Sequence, residues 1–141
     1  MHTSLPIVAA LAGASVSGAH AVDPAPALAR AAVLDTSRQA VEQALGKPVR
    51  LEVRRFAVQG RWAFVFAALR ESGGAPIDYA GTPKADAAAH GMASGDCALL
   101  LSKSYVGWSI VAETVGPTDM PWRTWPATYG APKALFTLNE R

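Results

Sequence analysis

Cys97 and His90 are the thiol and imidazole that lie close together in the sequence. A nucleophilic cysteine requires a base that lowers its thiol pKa and a third group that orients the base. Asp96 directly precedes Cys97, but neighbouring positions of a strand point to opposite faces. Since Cys97 also begins the apolar segment CALLLSK, we predict a buried, unreactive side chain at this position.

Two carboxylates and the same histidine are the remaining candidates for catalysis: Asp78, Asp119 and His90. They could act as an acid/base set if the loop that carries Asp78 folds over the mouth of a sheet. No spacing in the sequence requires them to converge. Asp119, which follows a Gly-Pro-Thr segment, alternatively suits the N-cap of a short helix. His90 alternatively suits an exposed loop. We therefore expect no catalytic residues.

The sequence offers few ligands for a metal or a phosphate group. It contains a single cysteine, and two of its three histidines, His2 and His20, lie in an apolar N-terminal region. Zinc sites require several such ligands. Gly73-Gly74 lacks the Lys and Ser/Thr that complete a phosphate-binding loop. We expect neither a metal nor a cofactor.

Aromatic side chains recur near the C-terminus, where Trp122, Trp125 and Tyr129 are spaced i, i+3 and i+7. A short helix with this spacing presents all three on one face. Such a cluster can line an apolar pocket, so these three are the candidate ligand-binding residues. The alternative is packing, in which the tail closes the open end of the fold. We expect Trp62 and Trp108 to pack in the core.

The charge is nearly balanced, with 13 Lys and Arg against 11 Asp and Glu, and a net charge of +2. Over the whole chain this charge is too balanced to indicate a nucleic acid or an anionic membrane surface as partner. One predicted hairpin nevertheless carries five arginines: Arg50, Arg54, Arg55, Arg61 and Arg70. Because Glu52 and Glu71 interrupt them, we favour a solvated face, with a site for an anionic partner as the alternative.

The N-terminus has the pattern of an export signal. The apolar run at residues 5–16 is shorter than the about 20 residues that a membrane-spanning helix needs. Ala19-His20-Ala21 fits a small-x-small cleavage pattern. We predict a signal peptide over residues 1–21, a single domain over residues 22–141 and a periplasmic or secreted location. No later segment of the sequence is apolar enough to span a membrane.

The remaining chain predicts one long helix and four strands. Apolar residues at helical spacing precede the stop signal Gly46: Ala27, Ala31, Leu34, Val41 and Leu45. Alternation over Val49–Val58 predicts a strand whose phase slips at Arg54-Arg55, as in a β-bulge. Trp62–Leu69 is apolar on both faces, which is typical of a central strand.

Residues 72–95 are rich in Gly and Pro and predict a long loop with a short helix near Lys84–His90. Cys97–Lys103 and Trp108–Val115 predict a second hairpin. We therefore predict an α+β fold, with the N-terminal helix packed on a curved four-stranded antiparallel sheet and followed by a short aromatic segment. A sheet that wraps the helix in this way is a cystatin-like roll.

Two segments resemble a pattern found in small exported bacterial proteins of unknown function. The first is VQGRWAFV at residues 58–65, and the second runs from Trp108 through VGPTD at residues 115–119 to Pro132. The order of the elements is similar to that of the nuclear-transport-factor-two-like and polyketide-cyclase-like folds. Those folds include enzymes, binding proteins and dimerisation modules, and their catalytic motifs have no counterpart in this sequence.

We expect a non-catalytic domain that binds a small molecule or a protein. The first alternative is a small polyketide-cyclase-like enzyme that uses Asp78, His90 or Asp119 in a cone-shaped pocket. The second alternative is a structural module that forms a homodimer through a sheet face.

Overall fold

The computed structural model describes residues 24–137. Of the described residues, 24–30 and 31–137 belong to two different units of the chain. Residues 24–30 of the first unit form the start of a helix. The predicted signal peptide, residues 1–21, lies outside the described residues. Within residues 24–137, no helix has the length and apolar character needed to cross a membrane.

Helix α1 spans Pro24–Leu45, as the sequence predicts. From Ala31 onward, its buried positions are spaced by four: Val33, Ser37, Val41 and Leu45. The predicted stripe is correct at Val41 and Leu45, but Leu34 is half-buried and Ala31 is exposed. The helix ends at Gly46, whose φ of +74° is the left-handed conformation that glycine adopts without steric cost.

Four strands form one antiparallel sheet in the order β1-β2-β3-β4. They are β1 (Arg50–Gln59), β2 (Trp62–Arg70), β3 (Asp96–Ser104) and β4 (Gly107–Val115). Both hairpin turns lie at one end of the sheet, the hairpin end. Residues 71–95 connect β2 to β3 at the opposite end, the loop end. The apolar strand β2 is central, as predicted, and the fold class is α+β.

Both edge strands contain an irregularity. The pairing of β1 with β2 shifts between Val53 and Arg55, which confirms the predicted bulge and makes Arg54 the extra residue. The pairing of β4 with β3 shifts next to Leu100, where Val111 is the extra residue. After each bulge the alternation of inward and outward side chains resumes in a new phase.

The two faces of the sheet bury separate apolar clusters. On the helix face, α1 packs against alternate residues of the central strands, including Val65 and Leu99. On the tail face, the C-terminal segment packs against Phe64 and Leu100. All four of these side chains are fully buried. The central strands are apolar on both sides because both sides are covered.

The C-terminal segment, called the tail, consists of three short helical elements: a 3-10 turn at Pro121–Thr124, helix α3 at Trp125–Tyr129 and a 3-10 turn at Lys133–Phe136. Arg55 connects the sheet to this tail. Its Nη2 donates hydrogen bonds to the carbonyl oxygens of Ala134 at 3.2 Å and Leu135 at 3.4 Å. The second arginine of the bulge therefore helps to hold the tail on the sheet.

Residues 71–95 form a loop that contains helix α2 (Ala85–Ala89). Lys47, just after α1, anchors the start of this loop. Its Nζ donates to Glu71 Oε2 at 2.8 Å and to the carbonyl oxygen of Asp78 at 3.0 Å. Glu71 Oε2 also accepts the backbone N–H of Asp78 at 2.6 Å. The bonds from Lys47 and from the Asp78 backbone both lower the pKa of the Glu71 carboxyl.

Candidate functional site

A cavity of about 380 Å³ opens at the loop end of the sheet. Charged, polar and small apolar residues line it, among them Arg54, Ala68, Arg70, Tyr79, Ser94 and Asp96. Ala68 lies on the central strand β2 and is 6% exposed. The cavity therefore combines a small apolar surface with charged groups from the strands on either side of it.

The wall formed by β1 and β2 is cationic. Arg70 donates to Glu52 Oε1 through Nη2 at 2.7 Å and through Nε at 3.0 Å. Arg54 Nη2 lies 3.8 Å from the same oxygen, which is beyond hydrogen-bond distance. The hydrogen bond and the charge of Arg70 lower the pKa of the Glu52 carboxyl. Arg70 is thus hydrogen-bonded to Glu52, whereas Arg54 is joined to the same carboxylate by a longer ion pair.

The opposite wall is anionic. Asp96 pairs with Ala68 across the sheet, so its side chain lies on the same face as the apolar surface of the cavity. Within residues 24–137, the Asp96 carboxylate accepts no hydrogen bond. Arg54 and Asp96 stand on the two strands that flank β2, so their backbones are about 10 Å apart at the usual strand spacing.

Tyr79 and Ser94 hold the loop side of the cavity in place. Tyr79 Oη donates to the carbonyl oxygen of Ser94 at 2.5 Å. Burial, with smaller contributions from the nearby Cys97 and Asp96, raises the pKa of the Tyr79 phenol to about 12. Because Tyr79 is 7% exposed and protonated at neutral pH, it acts as a fixed hydrogen-bond donor.

Gly116 packs against the same corner of the loop. Its φ is +71°, and a Cβ added there would lie 3.3 Å from Ala93 Cβ, the Ser94 carbonyl oxygen and Tyr79 Oη. No other residue fits without displacing these neighbours. The loop side of the cavity is therefore closely packed.

The structure does not join the three predicted catalytic candidates by any described hydrogen bond or ion pair. Asp78 is exposed and its Oδ1 accepts the backbone N–H of Ala80 at 2.9 Å. His90 is exposed, and its Nδ1 lies 2.8 Å from the Asp86 carbonyl oxygen. Asp119 is also exposed. None of the three lines the cavity described above. Catalysis by these groups stays a prediction.

The prediction that Asp119 caps the tail helix is wrong. The first 3-10 turn begins at Pro121, Met120 occupies its N-cap, and no side chain makes a capping hydrogen bond.

The predicted burial of Cys97 is confirmed. Its side chain is 0% exposed in the helix-face cluster. Burial, with a smaller contribution from the Asp96 carboxylate, raises the pKa of the thiol to about 12. The thiolate needed for nucleophilic attack is therefore scarce at neutral pH.

The candidate ligand-binding aromatics occupy different environments. Trp122 is 4% exposed and Trp125 is 7% exposed, both against the tail face, whereas Tyr129 is 40% exposed. Trp122 packs on Phe66 with ring centroids 5.2 Å apart. Trp125 meets Phe64 edge to face at 6.3 Å. The two tryptophans therefore pack in the tail-face cluster, and ligand binding by the three aromatics stays a prediction.

The five arginines of the first hairpin also lie in different places and make different contacts. Arg54 and Arg70 line the cavity, and Arg55 holds the tail. Arg50 Nη1 lies 3.5 Å from the Ser72 carbonyl oxygen. Arg61 stacks over Trp62 at the hairpin end. The bulge separates Arg54 from Arg55, so adjacent residues in the sequence have different roles.

Asp96 is a cavity residue that the sequence did not predict. The available signal was its position before Cys97, since an inward cysteine places the preceding side chain on the opposite face. Within the described residues, no group of three or more His, Cys, Asp or Glu side chains is placed to hold a metal ion. Comparisons with protein families, with curated proteins and with solved structures find no match to this chain.

Proposed function

We propose that this protein is a non-catalytic binding domain and that the cavity at the loop end takes a small ligand carrying both an anionic and a cationic group. The observation that carries this proposal is that Arg54, from β1, and Asp96, from β3, both line the cavity, on the two strands that flank β2. Among the described residues, the Asp96 carboxylate accepts no hydrogen bond, and Arg54 has the longer ion pair with Glu52 at 3.8 Å.

The chemistry of the two walls selects the ligand. A guanidinium presents a planar set of N–H donors that matches a carboxylate. The Asp96 carboxylate accepts hydrogen bonds and favours a cation such as an ammonium group. A volume of about 380 Å³ is within the usual range for small-molecule sites. Zwitterionic amino acids and short peptides carry both charges and are small enough for a cavity of this volume.

The other groups of the site support binding rather than reaction. The Tyr79 hydroxyl is committed to the Ser94 carbonyl oxygen, and Arg70 is paired with Glu52. Both interactions hold the walls at fixed positions, and a fixed site loses less entropy when a ligand binds.

Isothermal titration calorimetry with a zwitterionic dipeptide, alanyl-alanine, tests the proposal. We expect Arg54→Gln to weaken binding by about tenfold or more, because a hydrogen bond to a charged group contributes about 1.5–3 kcal/mol. We expect Asp96→Asn to weaken binding of alanyl-alanine but not of its N-acetylated form, which lacks the ammonium group. Arg123→Gln, at an exposed position of the tail, is the matched control.

Absence of binding by alanyl-alanine and by its N-acetylated and C-amidated forms would refute the proposed ligand class. Equal binding by the wild type and both cavity variants would place the ligand elsewhere on the protein.

We also propose that the fold is a cystatin-like roll and that the protein is exported. One helix packed on a four-stranded antiparallel sheet supports the first proposal, and an experimental structure tests it. The apolar run at residues 5–16 and the Ala-His-Ala segment support the second. N-terminal sequencing of the protein from the extracytoplasmic fraction should find Val22 as the first residue. An N-terminus at Met1 would contradict export by cleavage.

A further inference from the structure

Apolar side chains project from the hairpin end of the sheet. Tyr105 is completely exposed and Val106 is 79% exposed, and both lie in the turn between β3 and β4. Within residues 24–137, Tyr105 has no aromatic ring contact. Tyr105 and Val106 thus form an adjacent pair of exposed apolar side chains at the tip of the turn.

Two cations stand beside this tip. Arg61 lies over the ring of Trp62, with its guanidinium carbon 4.8 Å from the centroid. Lys103 Nζ lies 5.9 Å from the centroid of Trp108. The backbone N–H of Lys103 donates to the carbonyl oxygen of Arg61 at 2.7 Å, so the two hairpins adjoin at this end.

The sequence places no negative charge near either turn. From Val53 to Arg70 and from Cys97 to Ala112 it contains no Asp or Glu. The acidic residues of the sheet, Glu52, Asp96 and Glu113, fall outside these two stretches. The parts of the strands that lie near the hairpin end therefore carry positive charge and no acidic residue.

We propose that the hairpin end binds an anionic lipid bilayer. Tyr105 and Val106 enter the interfacial region, while Arg61 and Lys103 contact the phosphates of the headgroups. Aromatic rings with a polar tip and long cationic side chains both favour this boundary between water and lipid. Anionic lipids attract cations close to the surface.

The geometry favours a bilayer over a protein partner. A stable protein interface usually buries about 800 Å² on each side. Two residues on a convex turn present much less than that to a folded partner. A bilayer surrounds a projecting turn, so a small tip can bury most of its apolar surface.

The test uses a fluorophore sensitive to polarity, attached at the hairpin end of the full chain. Ser104→Cys introduces an exposed thiol beside Tyr105, and the buried Cys97 is protected from labelling. Ser72→Cys at the loop end is the matched control. Vesicles of phosphatidylcholine with added phosphatidylglycerol should shift the emission of the Ser104→Cys label to the blue and leave the control label unchanged. Vesicles of pure phosphatidylcholine should give a much weaker response.

Substitutions at the tip then separate the two contributions. Arg61→Gln and Lys103→Gln should each weaken the vesicle titration by about fivefold, which is the usual effect of one cation near an anionic surface. Tyr105→Ser, which keeps the charges, should remove most of the blue shift. Circular dichroism checks that these exposed substitutions preserve the fold.

Two results would overturn the proposal. In the first, the Ser104→Cys label keeps a water-like emission on anionic vesicles, even if the chain binds them through another region. In the second, the blue shift develops with increasing protein concentration in the absence of lipid, which would assign the tip to a protein interface.

Discussion

Replacing Trp122 with alanine tests whether the tail is a structural layer of the domain. The Trp122 ring is 4% exposed and contacts two rings of β2, with centroid distances of 5.2 Å to Phe66 and 6.5 Å to Phe64. The indole covers the tail face of the central strand. Its removal leaves that part of the sheet without a covering side chain.

The expected loss follows from this burial. Truncation of a buried tryptophan to alanine typically lowers the free energy of unfolding by about 3–5 kcal/mol. Each aromatic ring pair contributes about 0.5–1.5 kcal/mol beyond area burial, and Trp122 forms two such pairs. Since small domains are stable by about 5–15 kcal/mol in total, Trp122→Ala should remove a large part of the stability.

Urea unfolding followed by far-ultraviolet circular dichroism measures this loss without depending on tryptophan fluorescence. Tyr129→Ala is the matched control, because Tyr129 belongs to the same tail but is 40% exposed. We expect the control to lose less than about 1 kcal/mol. An equally small loss for Trp122→Ala would refute the assignment of the tail as a packed layer. Loss of ligand binding with unchanged stability would instead support an aromatic pocket.

Three further predictions follow from buried or closely packed groups. Cys97 should resist an aromatic disulfide reagent in the native protein at mildly alkaline pH and react rapidly in urea, because burial raises its thiol pKa to about 12; rapid native reaction would contradict the burial. Gly116→Ala should lower the free energy of unfolding by about 1–3 kcal/mol through strain at positive φ and close contacts. It should cost more than Gly130→Ala, where φ is also positive but the added Cβ meets no atom within 4 Å, and equal losses in urea unfolding would argue against close packing of the loop. Glu71→Gln should destabilise the protein above the ordinary pKa of 4.5 and have progressively less effect as the pH falls through the lower pKa of the folded state; a difference in urea midpoint that does not change with pH would contradict a role for the ionised Glu71.

The elements of the fold were predictable because their signals are local. The apolar run of β2 indicates a strand covered on both faces, and the phase slip at Arg54-Arg55 indicates the bulge. The buried stripe of α1 was harder to predict from the sequence. Ser37 is polar and fully buried, so a pattern built on apolar residues misses it. A pattern that allows one small polar residue among the apolar ones would place the buried face of the helix correctly.

The site was predictable only in part because it depends on which strands become neighbours. The cluster of arginines was visible in the sequence, and Arg54 and Arg70 do line the cavity. Asp96 is far from both along the chain and joins them only through the β2–β3 pairing. The tail aromatics had a regular spacing, yet Tyr129 is exposed because the segment changes from a 3-10 turn to an α-helix after Thr124. Each residue rotates by a different angle about the axis in a 3-10 turn and in an α-helix. Residues seven positions apart across such a change therefore do not lie on one face.

The bulges at Arg54 and Val111 have a consequence for encounters between molecules. An outer strand with regular hydrogen-bonding groups can recruit a strand from a second molecule, and repeated recruitment leads to fibrous aggregates. In this sheet both outer strands are interrupted near their middle, so neither offers an uninterrupted row of donors and acceptors to an incoming chain. The irregularities that separate Arg54 from Arg55 therefore also protect the protein at high local concentration. Deleting Arg54 would straighten β1 and should favour the growth of such aggregates.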